Sequence, residues 1–222
     1  MTTSELSNEF DILFNNISSN KAPGLEPYEK SVLLTQAQEE IIKGLYNGNL
    51  IGESFETTEE LRRYIEGLVK TEELTLIGGT FPAMDSRSKF FELPSEVWFI
   101  TYEQVTVSKG SQDKILKVVP MRQDEWNKSK NNPFKMPNDD KIIRLDSGEG
   151  IIELITTYPL IKKYLIKYIK RPNPIILEDL PYGLSINEKN AELGCELNTA
   201  LHRIILERAV QLAHKIFAQT SV

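Results

Sequence analysis

The side chains able to do chemistry are few and scattered. His202 and His214 are the two histidines of the chain. They fall on one predicted helix, about 18 Å apart along its axis and turned to different sides. They cannot share a metal ion, and both are expected on the partly exposed polar face. The single cysteine, Cys195, lies in Leu193-Gly194-Cys195-Glu196-Leu197 without a basic neighbour in sequence. Nothing there draws out a thiolate, so a small buried hydrophobe is expected. The carboxylate pairs Glu39-Glu40, Glu59-Glu60 and Asp139-Asp140 are adjacent in sequence. Adjacent side chains point apart on a helix, whereas acid–base pairs are normally brought together by folding. Gly78-Gly79 follows the apolar run Leu74–Ile77 but lacks the third glycine and the βαβ setting of a dinucleotide site, and reads as a turn. The chain holds no CxxC, HExxH, nucleophile elbow or phosphate-cradling loop.

One run could bind a polyanion. Lys162, Lys163, Lys167, Lys170 and Arg171 interleave with Tyr164 and Tyr168, and basic–aromatic strands can hold single-stranded nucleic acid. Strict alternation instead puts Tyr164, Ile166 and Tyr168 on one face and Lys163, Leu165, Lys167 and Ile169 on the other. The two chemistries are thereby split, and a structural or subunit-contact strand is the expectation, with a surface near DNA as the alternative. No catalytic, metal or cofactor-binding residue is assigned, and no cofactor is expected.

The elements around these residues follow two periods. Leu6, Phe10, Leu13, Phe14 and Ile17 predict a helix over residues 4–17, with Ser4 able to cap it. Pro27 suits the first turn of a second helix, whose face is Val32, Leu33, Ala37, Ile41, Ile42 and Leu45, ending at Asn47-Gly48. Thr57 with Glu60 reads as the capping box of a third helix, with core face Leu61, Tyr64, Ile65, Leu68 and Val69. Residues 95–121 alternate as one long hairpin about a turn at Ser108–Gln112. Pro120 suggests an edge or an exit, because proline cannot donate to the ladder. Asp124-Glu125-Trp126 opens a short helix that ends at Asn131-Asn132-Pro133. Strands are expected at Lys141–Leu145, Ile151–Thr157 and Tyr164–Lys170, the first two joined by a turn at residues 146–150. From the cap Asn198 a last helix runs to about Phe217. Its wide face of Leu201, Ile204, Ile205, Ala209, Leu212, Ala213 and Ile216 implies burial against more than one element.

The expected fold is α+β: N-terminal and C-terminal helices packed together, with a largely antiparallel β-sheet region between them in sequence. No linker divides residues 1–222, so one domain is expected. It comprises a helical part (1–72), a β-rich part with the long hairpin (95–178) and a closing helix (196–217) that returns to the helical part. The length of 222 residues can bury a core without disulfide or metal staples. The lone cysteine fits synthesis in a reducing compartment. Neither a secretory signal nor an apolar run of spanning length is present, so no membrane partner is expected. The net charge of −6 is uneven. Residues 1–92 carry 16 acidic and 8 basic side chains, and residues 93–222 carry 16 and 18. Such a division is either an ordinary solvated face or a pair of complementary patches that meet on neighbouring copies. It does not make a non-specific nucleic-acid binder, which would be strongly basic.

Several ordered segments carry a resemblance. The stretch Ser19–Glu40, SNKAPGLEPYEKSVLLTQAQEE, is similar to the N-terminal region of structural proteins of crAss-like and related gut podoviruses. So are Val119-Pro120-Met121 with Asp124-Glu125-Trp126 and Asn132-Pro133-Phe134. The run Tyr168–Leu177, YIKRPNPIIL, is similar to their sheet region, and Cys195-Glu196-Leu197 with His202, Arg203, Ile205 and Ala209-Val210 to their closing helix. The likeness spans roughly residues 8–216 and rests on the ordered set, not on any one motif. The chain therefore resembles the ring (head–tail connector) proteins of crAss-like bacteriophages.

That resemblance implies a structural virion protein and no enzyme. It implies a ring, expected in twelve copies, stacked below the portal at the phage neck, bridging portal to tail and extending the DNA channel. Its partners would be further copies of itself, the portal protein and other ring or tail proteins, with passing genomic double-stranded DNA touched non-specifically at most. It would reside in the virion, and in the bacterial host cytoplasm during assembly. The alternatives are another tail or collar subunit, or a nucleic-acid-binding factor or enzyme with an unrecognised site. Three surfaces are candidate subunit contacts: Lys21, Pro23, Gly24 and Glu26 before the second helix; Lys109, Gly110 and Ser111 at the hairpin tip, expected to reach far from any core; and Lys170, Arg171 and Pro172 at the corner that Pro174 completes.

Overall fold

The structure is a computed structural model that describes residues 1–17, 24–47, 63–78, 81–109, 112–130 and 132–220. The Thr57/Glu60 capping box, Leu61, Gly48 and Gly79 lie outside these residues. The chain forms two compact units, Met1–Leu68 with Pro172–Val222, and Val69–Arg171.

The first unit is helical. Helix α1 (Thr3–Ile17) starts from Thr2, not from Ser4. The Glu5 N–H donates to Thr2 Oγ1 at 3.2 Å while the Thr2 N–H donates to Glu5 Oε2 at 2.8 Å, a reciprocal box that places the cap two residues earlier than expected. Leu6, Phe10 and Phe14 are buried and Ile12 is exposed. Helix α2 (Pro27–Asn47) opens on Pro27, whose missing N–H is harmless in a first turn. The Glu29 carboxylate accepts from the Glu26 N–H at 2.9 Å. Its buried apolar face is Leu33, Leu34, Ala37, Ile41, Ile42 and Leu45, and Val32, expected inside, is exposed. Residues 63–65 are helical and tighten into a 3₁₀ turn, Glu66–Leu68, with Ile65 and Leu68 buried.

The last helix is Thr199–Thr220; the short helix of the second unit, below, is numbered α3, so this one is α4. The Asn198 Oδ1 caps it, accepting the Ala200 N–H at 3.0 Å. It packs against both α1 and α2, as its wide apolar face requires. That face uses Leu206 and Val210 where Ile204 and Ile216 were expected, and the latter two are exposed.

A polar row on α2 organises the chain before α4. Ser31, Thr35 and Gln38 are buried and share one helical face. Ser31 Oγ accepts the Leu177 N–H at 3.0 Å. Thr35 Oγ1 accepts the Ile175 N–H at 3.0 Å and donates to the Ile175 carbonyl at 3.3 Å. Gln38 Nε2 donates to the Asn173 carbonyl at 2.8 Å. The helix thereby acts as a side-chain substitute for a neighbouring strand, satisfying backbone groups that could not be buried unpaired.

The second unit is a sheet. Its strands are β1 (Val69–Leu74), β2 (Ser88–Glu92), β3 (Val97–Lys109), β4 (Gln112–Pro120), β5 (Lys141–Gly148), β6 (Ile151–Ile155) and β7 (Ile161–Lys170). Their order is β1-β7-β3-β4-β5-β6-β2. Neighbours are antiparallel except β4 with β5, which run parallel. That parallel step needs a crossover, and helix α3 (Gln123–Ser129) lies in it. Pro120 ends β4 as an exit, and the next N–H, of Met121, donates to the Arg144 carbonyl at 2.9 Å.

The ends of the strand order meet. Past β1 the chain turns to the free edge of β2: Leu76 bridges Phe91, and the Ile77 N–H donates to the Phe90 carbonyl at 2.9 Å. The sheet curls so that its two end strands meet at this point, which shortens the exposed edges that invite uncontrolled strand pairing. Inside lies one core drawn from every strand, including Leu74, Phe91, Val105, Val107, Leu116, Ile142, Leu154, Tyr164 and Ile166. Outside, α3 presses Trp126 onto Ile143, Leu145 and Ile155.

The long hairpin of β3 and β4 forms as expected, but it does not reach far from the core. β3 is flanked by β4 and β7, and β7 accompanies it as far as Val107, which is wholly buried. Of the described residues, Ser108 and Lys109 of β3, paired with Asp113 and Gln112 of β4, continue beyond the pairing with β7.

Candidate assembly surfaces

The reactive groups of both units are inward-facing struts. Tyr164 and Arg144 both reach Glu103 inside the sheet. The Tyr164 hydroxyl donates to one Glu103 oxygen, and Arg144 Nη1 donates to the other at 3.0 Å. Burial, then the Glu103 charge, push the Tyr164 phenol far above its ordinary range, so it stays a neutral donor. Nearby, the Tyr168 hydroxyl is shared between Glu96 at 2.8 Å and Glu72 at 3.0 Å. Lys70 pairs with the same Glu96. Glu96 is held below the usual carboxylate range, first by the Lys70 hydrogen bond and then by that from Tyr168. Under the outer layer, the buried Glu153 accepts the Met84 N–H at 2.7 Å and the Ser88 hydroxyl. Glu72 and Glu96 are thereby brought to either side of one hydroxyl, which bridges them.

The residues read from sequence as chemically able fall into similar roles. His202 is buried, contrary to the expected polar-face position. Its Nε2 lies 3.0 Å from the Leu197 carbonyl and its Nδ1 2.9 Å from the Met1 nitrogen. Burial is the first cause holding its pKa below the ordinary histidine value. His214 stacks on Phe14 at 4.9 Å, so it too packs against an apolar neighbour. Cys195 is partly buried, its Sγ is 3.3 Å from Gln38 Oε1, and burial pushes the thiol up to about 11. That agrees with an unreactive thiol, not a nucleophile. Among the described residues, no three His, Cys, Asp or Glu gather in a way that could hold a metal ion. Among them, too, no helix is long and apolar enough to cross a membrane.

The basic–aromatic strand divides as alternation requires. Tyr164, Ile166 and Tyr168 are buried, while Lys163 and Lys167 are exposed. Lys163 pairs with Glu73 at 2.8 Å, and Lys167 Nζ sits 5.9 Å from the centre of the Tyr102 ring.

The candidate contacts are placed unevenly. Gly24 and Glu26 are exposed ahead of α2, while Lys21 and Pro23 lie outside the described residues. Lys109 is at the end of β3, and Gly110 and Ser111 lie outside the described residues. Lys170 closes β7 half-buried, and Arg171 is exposed with its N–H donated to the Glu96 carbonyl at 2.8 Å. Pro172 is buried and presents no surface. Other exposed groups went unread in the sequence. Tyr182 and Phe134 stand out in solvent, as do Ile115 and Tyr102 on the sheet. Tyr182 sits in Pro181-Tyr182-Gly183, whose Pro and Gly signal a turn with an aromatic at its tip.

A surface of this kind suits association, and comparison with known proteins says of what sort. The family model of phage tail ring protein 3/4 matches residues 1–221. The chain belongs to that family. It is 47% identical over 220 residues to "Ring protein 3" of Bacteroides phage crAss001, covering 96% of this chain and 95% of that protein. It is 38% identical over 229 residues to "Ring protein 4/5" of the same phage, covering 96% and 92%. The resemblance read from the ordered segments is therefore correct at the level of the family.

Proposed function

We propose that this chain is a non-enzymatic structural subunit of the virion of a crAss-like phage. Copies close into a ring in the head–tail connector below the portal, extend the DNA channel and bridge portal to tail. The observation that carries this reading is the match to ring proteins over nearly the whole chain, with both units included. The physical layout agrees with it. A ring subunit needs two rigid, differently charged faces that meet head to tail and close by rotation. Two compact units, each with its own packed core, supply rigid faces. The stretches that form the helical unit carry 18 acidic and 9 basic side chains, a net of −9, and those of the sheet unit 14 and 17, a net of +3. Twelve copies are proposed, to match a stack of rings on a portal. Acidic helical surface near the lumen would keep passing double-stranded DNA from adhering.

Electron cryomicroscopy of purified particles tests this. The expected result is density for this chain as a closed twelve-fold ring between portal and tail. Its absence from particles, or turnover of a substrate by the purified protein, would overturn the reading. A second placement has its own support: the similarity extends to "Ring protein 4/5" at 38% identity. A ring lower in the tail, with other neighbours, is the outcome that would select it.

A further inference from the structure

Two exposed surfaces carry side chains of opposite charge. The first is in the helical unit. Residues 172–198, between β7 and α4, contain no helix or strand beyond isolated bridges, yet they are firmly built. A connection of this length without regular structure is uncommon and usually functional. Ile176, Leu180 and Ile186 pack into a small core with Tyr28 and Leu193. On this base Pro181-Tyr182-Gly183-Leu184 makes a turn closed by the Leu184 N–H donating to the Pro181 carbonyl at 3.0 Å. Gly183 has φ +91°, which a type II turn demands at this place and which glycine alone adopts without strain. Tyr182 is thus held outward on a fixed corner, wholly exposed. A rigid exposed tyrosine gives contact area with little ordering entropy to lose. Glu178, Asp179 and Glu188 are exposed close to it in sequence.

The second surface is the outer face of the sheet unit. α3 covers its β5–β6 side through Trp126, but the β7–β3–β4 side is bare. Strand register lays out its rows: Lys163, Thr106 and Ile115; then Leu165, Gln104 and Lys117; then Lys167 and Tyr102. Ile115 is 63% exposed and Tyr102 48%. The exposed apolar groups Ile115 and Tyr102 thus flank a central Gln104, with Lys163, Lys117 and Lys167 around them.

We propose that in the assembled ring the Tyr182 turn of one copy docks on the bare β7–β3–β4 face of the next copy, with Glu178 and Glu188 set against Lys163 and Lys167. This rests on the ring reading above. A closed ring needs two different patches per subunit, and these two are opposite in charge. Two acidic turns facing each other would repel.

The test uses particles grown with the full-length chain. In a Cys195→Ala background, Tyr182→Cys and Gln104→Cys are introduced singly and together, and particles are treated with a short bis-maleimide. A ladder of covalent multimers from the double variant, and monomer from each single variant, is expected. Particles with a full complement of the chain but no ladder overturn the docking and leave the ring reading standing. Cross-linking of the Tyr182→Cys single variant to itself, or of either single variant to a different particle protein, also overturns it. Absence of the chain from particles overturns both. A charge exchange keeps the proposal open to refutation if the cysteine variants fold poorly. Lys163→Glu with Lys167→Glu should cut incorporation at least tenfold, and adding Glu178→Lys with Glu188→Lys should restore it. No loss at the first step, or no recovery at the second by a protein with native circular dichroism, overturns it.

Discussion

Tyr164→Phe removes one oxygen from the interior of the sheet and should weaken that unit selectively. The Tyr164 hydroxyl donates to the Glu103 carboxylate, whose other oxygen receives Arg144 Nη1 at 3.0 Å. Both partners are nearly enclosed, with side-chain exposures of 10% for Glu103 and 12% for Arg144. A buried hydrogen bond to a charged group contributes about 1.5–3 kcal/mol net. Glu103 keeps Arg144 after the change, so it is not orphaned, and a loss of about 2 kcal/mol is expected. With a urea dependence of about 2 kcal/mol per molar, the midpoint should fall by about 1 M. The assay is unusually clean because both tryptophans, Trp98 and Trp126, lie within Val69–Arg171. Intrinsic fluorescence therefore reports this unit alone, even if the two units unfold separately. Tyr168→Phe is the control. Its hydroxyl is shared with Glu72, an exposed residue, and Glu96, half-exposed, so the loss should be about 1 kcal/mol or less. A Tyr164→Phe midpoint equal to wild type, or a larger fall for Tyr168→Phe, would refute the view that the Glu103 network braces the interior.

Three further outcomes are expected. Thr35→Val leaves both the N–H and the carbonyl of Ile175 without their side-chain partner. It should cost about 2–4 kcal/mol and speed hydrogen exchange at the Ile175 amide, with Thr35→Ser close to neutral. The Cys195 thiol, pushed up to about 11, should react slowly with iodoacetamide at pH 7 and accelerate through pH 9 without a plateau; rapid labelling at pH 7 would contradict its burial. His202 has a lowered pKa in the folded chain. The unfolded chain then binds the extra proton first, so stability present above the ordinary histidine pKa of about 6.5 declines as pH falls below it. The melting temperature should drop more steeply between about pH 6.5 and 5 for wild type than for His202→Asn.

Much of the fold was legible because it rests on local signals. Period and capping placed α1, α2, α3 and α4, the β3–β4 hairpin and strands β5, β6 and β7. Alternation alone put Tyr164, Ile166 and Tyr168 on one face and Lys163 and Lys167 on the other. What failed locally failed for physical reasons. β1, Val-Lys-Thr-Glu-Glu-Leu, is almost wholly exposed, so it has no apolar alternation to read. β2 is only five residues long. Val32, Ile204 and Ile216 have helical spacing, but each falls at the margin of its helix's buried face, where only the neighbouring element decides burial. His202 read as a surface residue because a histidine's burial depends on partners distant in the chain.

By itself, the sequence determined the family, the α+β class and the absence of any gathered set of reactive side chains within known motifs. These depend on residue type, order and short-range period. Tertiary structure alone decided that the ends of the sheet meet through Leu76 and Ile77, and that a polar row on α2 pairs with residues 173–177. It also kept the β3–β4 hairpin paired with β7 as far as Val107, and put Tyr182 in solvent. Each of these is a contact between segments far apart in the chain. Such contacts are fixed by which buried donors, acceptors and apolar faces can be satisfied together, and no local pattern records that.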